Sequence, residues 1–218
     1  MIFGKIEYLN LLPFHIFMKR YLRSSQAKAI MQHKEDVPAK INRRFFRRDV
    51  DAAFISSITA QNSRYASLGI IANKEVKSVL VIPSTKNKTD KESASSNVLA
   101  KILGVDGEVL IGDKALLYAL HNDDYIDLAK EWHKRYRLPF VFALLCYNKD
   151  AKRYKKISKT FLKSKQKIPQ YLLQKAAKKR SVSPKDVEEY LKLISYELTP
   201  KAKQGLKRFY KEAKKLST

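Results

Sequence analysis

The chain has 218 residues, 44% hydrophobic and 11% aromatic, enough to bury a core in one large domain or two small ones. That content excludes compositional disorder despite 30% charge, while a formal net charge of +24 raises the question of polyanionic partners. A single cysteine, Cys146, excludes an internal disulfide framework and a multi-cysteine zinc site, and fits a reducing compartment. The longest apolar run, residues 138–147, is about half of the roughly 20 residues a membrane helix needs. No basic region precedes a continuous apolar stretch at the N-terminus, so a soluble, cytoplasmic protein without membrane contact is expected.

Over the first 145 or so residues, short β-rich runs alternate with helical patterns, the signature of an α/β fold with largely parallel sheets. Residues 2–8 read as a strand and 9–12 as a loop. Pro13 suits the first turn of a helix running to Tyr21, because its missing N–H would be unpaired there anyway. Residues 27–33 give a second expected strand, 38–46 a short basic helix, and 50–55 a buried third strand. Ser56, Ser57 and Thr59 mark an expected helix start, and 65–72 further sheet. After a strand over 77–82, the polar stretch 83–96 reads as an exposed segment and 97–103 as a helix. A strand over 108–111 runs into Gly112 and Asp113, with Asp113 placed to cap a helix over 114–120. A helix over 125–136 and an apolar strand over 139–147 follow, and everything beyond is expected to be helical. Ser183-Pro184-Lys185-Asp186 opens one of these helices with a capping residue and a proline at the first helical position; Thr199-Pro200 opens the last.

This order predicts two lobes. Residues 1–76 with 148–218 form a discontinuous first lobe, 77–147 an inserted second lobe, and the C-terminal helices return to cover the first. A two-lobed α/β protein binds small ligands in its cleft, at strand ends and helix N-termini.

The positive charge is uneven: residues 148–218 hold 22 basic and 6 acidic residues. The lysines there fall among helix-periodic apolar positions such as Ile157, Phe161, Val187, Tyr190 and Ile194, as on the solvated faces of amphipathic helices. The alternatives are general attraction of anionic metabolites and a nucleic-acid footprint, the latter with the basic turn at 176–184 as its best support, although no glycine marks that turn.

Several chemistries are missing. The chain has no G-x-G-x-x-G, no P-loop and no G-x-S-x-G. His15, His33, His121 and His133 lack metal-ligand spacing, and Cys146 in its apolar strand reads as inert core, so neither a metal nor a cofactor is expected. Four polar positions remain where a cleft would lie. Asn10 ends the first strand and either binds a ligand or bonds its own backbone. Ser56 and Ser57 end the third strand, receiving a carboxylate or simply capping a helix. Ser78 opens the strand into the second lobe, and Gly112-Asp113 offers a close-approach glycine or a plain helix cap.

The same segments carry a family resemblance. YLNLLPF at 8–14, DVDAAFISS at 49–57, KSVLV at 77–81 and LIGDKAL at 110–116 resemble chorismate dehydratase of the futalosine route to menaquinone. Glu131-Trp132 followed by LPFVFA at 138–143, and Tyr196, Leu198, Gly205-Leu206 and Phe209, are similar to the family as well. Where the family often has Pro-Ser, this chain has Ser56-Ser57, which leaves Ser57 as the matching hydroxyl.

The resemblance implies a two-lobed fold like the type II periplasmic binding proteins, with a ligand cleft between the lobes. It implies loss of water from chorismate, a dianion, to give 3-[(1-carboxyvinyl)oxy]benzoate. Asn10 would orient the substrate near the departing hydroxyl, and Ser78 would bond a carboxylate or that hydroxyl. Ser57 and the Gly112-Asp113 turn would hold carboxylate oxygens. None of these is a convincing general base, so the enolpyruvyl carboxylate itself is expected to take the proton. The rival readings are a small-anion binder, a sister enzyme of the same pathway, and a nucleic-acid-binding protein.

Overall fold

The structure is a computed structural model and describes residues 2–22, 36–164 and 167–216. The expected strand at 27–33 lies outside the described residues. Strand β1 (Phe3–Gly4) leads through a 3-10 turn (Leu9–Leu11) into α1 (Leu12–Tyr21), and α2 (Pro38–Phe46) precedes β2 (Ala52–Ser56) and β3 (Tyr65–Ala72). Strand β4 (Val79–Ile82), α3 (Ala94–Leu103), β5 (Glu108–Ile111), α4 (Gly112–His121), β6 (Ile126–Asp127) and α5 (Leu128–Tyr136) form the next block. Strand β7 (Phe140–Tyr147), α6 (Ala151–Lys163), α7 (Gln170–Lys178), α8 (Pro184–Lys192), β8 (Ile194–Glu197) and α9 (Pro200–Lys215) complete the chain.

These elements build two lobes, one on a five-stranded sheet of order β1-β2-β7-β3-β8 and one on a three-stranded sheet of order β5-β4-β6. The expectation of parallel sheets is corrected: β1–β2 is the parallel pair, and β2–β7, β3–β7, β3–β8, β4–β5 and β4–β6 are antiparallel. The reason is topological. β7 returns from the small lobe and slots between β2 and β3, so it runs against both without a crossover helix. Residues 140–147, assigned by sequence to the inserted lobe, are therefore central in the large sheet, and the second crossing falls at 137–139.

Local chemistry accounts for the remaining differences. After β2 the chain makes turns over 57–62 in place of the expected helix. α3 starts earlier than its apolar pattern suggests because Ser93 caps it, its side chain accepting from Ser96 N. Asp127 likewise opens α5, so 125–127 is not helical; β8 interrupts the supposedly all-helical C-terminus by pairing with β3. At α8, Ser183 and Asp186 form the full reciprocal capping box.

The core of the large lobe centres on Phe14, whose ring meets Phe3, Phe17, Phe54 and Phe161 at centroid distances of 5.0–6.2 Å. Full burial of each such ring stabilises by about 2–3 kcal/mol. Trp132 of the small lobe packs edge-on to Phe140 and Phe209, so α9 ties the lobes together from behind. Both crossings carry a non-glycine residue in the left-handed region, Lys77 and Arg137, each at φ 56°. The buried Asp127 carboxylate steadies the first of them: Oδ2 accepts from Val76 N (2.9 Å) and Lys77 N (2.7 Å), while Oδ1 caps α5. Among the described residues no helix is long and apolar enough to cross a membrane.

Candidate active site

A cavity of about 70 Å³ lies between the lobes. From the large lobe it is walled by Asn10, Phe54, Ser56 and Phe142, and from the crossing and small lobe by Ser78, Ser93, Ser96, Ile111 and Gly112. Among the described residues, no side chain on this wall is charged. The polar groups are hydroxyls, one carboxamide, and the first turns of α3 and α4, whose positive dipole ends favour negative charge.

Each polar residue is held from behind. Burial of Leu9 and Leu11 winds the turn that presents Asn10, and Tyr196 Oη donates to the Asn10 carbonyl at 2.6 Å. Ser56 ends β2; the buried Asn42 of α2 donates to its Oγ (3.1 Å) and accepts from its N–H (3.3 Å). Ser78 is 2% exposed, its Oγ accepting from Tyr190 Oη at 2.9 Å and its carbonyl from Gly112 N at 2.8 Å. Ser93 Oγ donates to Ser96 Oγ at 2.7 Å.

Gly112 is required twice over. Its φ is +67°, and a Cβ there would sit 2.8–3.0 Å from three atoms of the Tyr8 ring. Tyr8 in turn spans the lobes, donating from its hydroxyl to Glu92 Oε2 at 2.5 Å. Burial and the Glu92 carboxylate push the Tyr8 phenol well above its usual range, so it stays a neutral donor.

Of the sequence candidates, Asn10, Ser56, Ser78 and Gly112 come together on the cavity wall, whereas Ser57 and Asp113 do not. Ser56 ends β2 and faces the cavity, and the chain turns at Ser57. Ser57 is fully buried, with Oγ 3.0 Å from Ser95 Oγ and its carbonyl accepting from Tyr210 Oη at 2.9 Å. Asp113 does not cap α4, whose N-cap is Ile111. Its carboxylate accepts from Leu9 N (3.0 Å) and pairs with Arg180, whose guanidinium also donates to the Glu7 carbonyl at 2.7 Å. The basic turn at 176–184 thus straps the two lobes together through Arg180.

Sequence reasoning missed Ser93, Ser96, Asn42, Tyr190 and Tyr196. The run Glu92-Ser93-Ala94-Ser95-Ser96 carries a helix-cap signal inside the stretch expected to be exposed, and the one signal for Asn42 is a polar residue beside the apolar Ile41 and Phe45 of its helix. Cys146 is buried and its thiol is pushed up to about 12 by burial, which suits inert core. Burial pushes His15 down to about 4; its Nε2 bonds the Ile6 carbonyl at 2.8 Å.

Comparison with known proteins bears on this site. A family model described as menaquinone biosynthesis matches residues 1–106 and 102–215. A curated chorismate dehydratase from Campylobacter jejuni subsp. jejuni serotype O:23/36 (strain 81-176) is 50% identical over 222 residues, covering 100% of this chain and 99% of the relative. A solved structure from Archaeoglobus fulgidus superposes with a TM-score of 0.69 at 13% identity, covering 99% of this chain and 97% of that one. A Candida albicans protein, described as defining a family with the generic periplasmic binding protein fold, gives 0.50 at 12% identity, covering 100% and 91%. These last two likenesses show the fold: α/β, two-lobed, periplasmic-binding-protein-like. With the family model running from residue 1 to 215 and a relative sharing half its residues end to end, the chain belongs to the menaquinone biosynthesis family.

Proposed function

We propose that this chain is a chorismate dehydratase, a hydro-lyase that removes water from chorismate to give 3-[(1-carboxyvinyl)oxy]benzoate. The observation that carries the reading is an uncharged, hydroxyl- and amide-lined cavity between lobes, in a chain 50% identical to a protein of that name.

Chorismate brings two carboxylates. The N-terminal turns of α3 and α4, with Ser93, Ser96 and Ser56, are donors suited to receive them. Asn10 and Ser78 face the cavity from different segments and orient the departing hydroxyl. The ring hydrogen that is lost sits on the carbon bearing the enolpyruvyl ether, next to that group's own carboxylate. The carboxylate takes this proton, the C–H electrons complete the aromatic ring, the C–O bond breaks, and the departing hydroxide leaves as water with the proton. Aromatisation makes the product side strongly downhill, so the protein's task is to desolvate and orient.

The cavity is well below the roughly 300–1,000 Å³ of typical ligand sites, so the lobes open at 73–78 and 137–139 to admit substrate. A cytoplasmic location belongs to the same reading, with one buried thiol suited to a reducing compartment.

The test is direct. Purified protein mixed with chorismate is expected to consume the diene absorbance and yield a product lighter by one water. Asn10→Ala and Ser78→Ala are each expected to lower kcat about 100-fold with the fold intact. Unconsumed chorismate refutes the function; wild-type rates in both variants refute the site.

A further inference from the structure

Among the described residues, the Lys-rich C-terminal third places no charged side chain on the cavity wall, yet it sends two phenols to the residues that form it. Tyr196 of β8 fixes the Asn10 backbone. Tyr190, on the apolar face of α8 and 3% exposed, reaches Ser78. Its hydroxyl donates to Ser78 Oγ at 2.9 Å. Tyr190 does not line the cavity.

We infer that Tyr190 is a positioning residue for the dehydration: by donating to Ser78 Oγ it turns the Ser78 O–H into the cavity, as a hydrogen-bond donor to the substrate. The inference rests on the dehydratase reading. The direction of the chain follows from valence. The phenol's single proton goes to Ser78 Oγ. A hydroxyl that accepts this bond still has one proton to place, and a serine 2% exposed must place it on a partner. The open side is the cavity, where the carboxylates and departing hydroxyl of chorismate supply acceptors. Each bond in such a chain polarises the next, which makes Ser78 a stronger donor than an isolated hydroxyl. Burial pushes the Tyr190 phenol above its usual range, so the donor keeps its proton at every working pH.

A role through Ser78 differs from a packing role in one measurable respect, non-additivity. Tyr190→Phe is expected to lower kcat about tenfold on chorismate with KM held within about twofold. In a Ser78→Ala background the same change is expected to cost nothing further, because the residue it acts through is gone. Rate losses that multiply across the two sites overturn the inference, as does a Tyr190→Phe enzyme with wild-type kcat. Thermal unfolding of each variant guards against a fold defect. Should the phenylalanine variant not fold, 3-fluorotyrosine at position 190 substitutes for it: a more acidic phenol of nearly the same shape is expected to alter kcat when Ser78 is present and not when it is Ala. Equal kcat with tyrosine and fluorotyrosine in the Ser78 enzyme then overturns the inference. No turnover by the wild-type chain removes the dehydratase reading and the inference with it, whereas additivity in an active enzyme removes the inference alone.

Discussion

Replacing Gly112 by alanine isolates what the glycine does for the cavity. Holding an alanine in the left-handed region costs about 1–2 kcal/mol. The added Cβ would also stand 2.8 Å from Tyr8 Cζ and 3.0 Å from Cε1 and Cε2, inside any real van der Waals contact. The ring has nowhere easy to go, because its hydroxyl is bonded to Glu92 and the next residue's N–H to Asp113. Moving it breaks a charge-assisted bond that contributes about 1.5–3 kcal/mol. The expected total is about 3–5 kcal/mol, or on the order of 10 °C in Tm for a chain of this length. Gly104 provides the control: its φ of +68° matches, and nothing lies within 4 Å of a Cβ built there. Gly104→Ala therefore carries the backbone cost alone. Urea unfolding of both variants separates the two contributions, and chorismate turnover reads the cavity, with Gly112→Ala expected to lose about 100-fold in kcat/KM. Equal destabilisation of the two variants, with turnover of Gly112→Ala inside twofold of wild type, would refute the seating of Tyr8 on Gly112.

Arg180→Met removes the strap to Asp113 and the Glu7 carbonyl, between side chains only 11% and 20% exposed, and is expected to lower unfolding free energy by about 2 kcal/mol; an unchanged urea midpoint would show the strap idle. His15 is held neutral by burial, its folded pKa about 4 against 6.5 unfolded, so the unfolded chain binds more protons between those values. Stability from this group is complete above pH 6.5 and falls as pH drops towards 4, by about 2 kcal/mol at pH 5; His15→Gln is expected to flatten that slope in pH-dependent unfolding, and an unaltered slope rejects the assignment.

How much of this was legible depended on whether the signal was local. Pro13, the Ser183–Asp186 box and Thr199-Pro200 each fix a helix start within four residues, and all three helices begin there. β7 was legible as a strand but not as a neighbour, because pairing with β2 and β3 is decided by sequence-distant partners. The site divided in the same way. Ser56, Ser78 and Gly112 stand at strand ends and Asn10 in the turn before α1, and all four were found, whereas Ser57, one residue past the strand, turns into the core. Asp113 satisfied every local criterion for a cap, and lost that role because Arg180, 67 residues away, offers a cation where the helix offers only amides. Tyr190 was read correctly as a core position of an amphipathic helix; nothing nearby in sequence says that its hydroxyl ends against Ser78, 112 residues earlier.

The absence of charge on the cavity wall has a chemical reason if the substrate supplies its own base. An arginine or lysine against the enolpyruvyl carboxylate would hold it tightly, but an adjacent cation also lowers a carboxylate's pKa and so its power to take a proton. Neutral hydroxyls and a carboxamide bind the same oxygens without a full positive charge beside them, and so depress the carboxylate's pKa less than a cation would. Capture of the dianion then falls to the rest of the surface, where a net charge of +24 acts over the roughly 8 Å that salt allows under physiological conditions. On the proposed reading, long-range attraction and short-range chemistry fall to different residues: the lysines outside would draw the substrate in, and the neutral donors inside would leave its carboxylate able to take the proton.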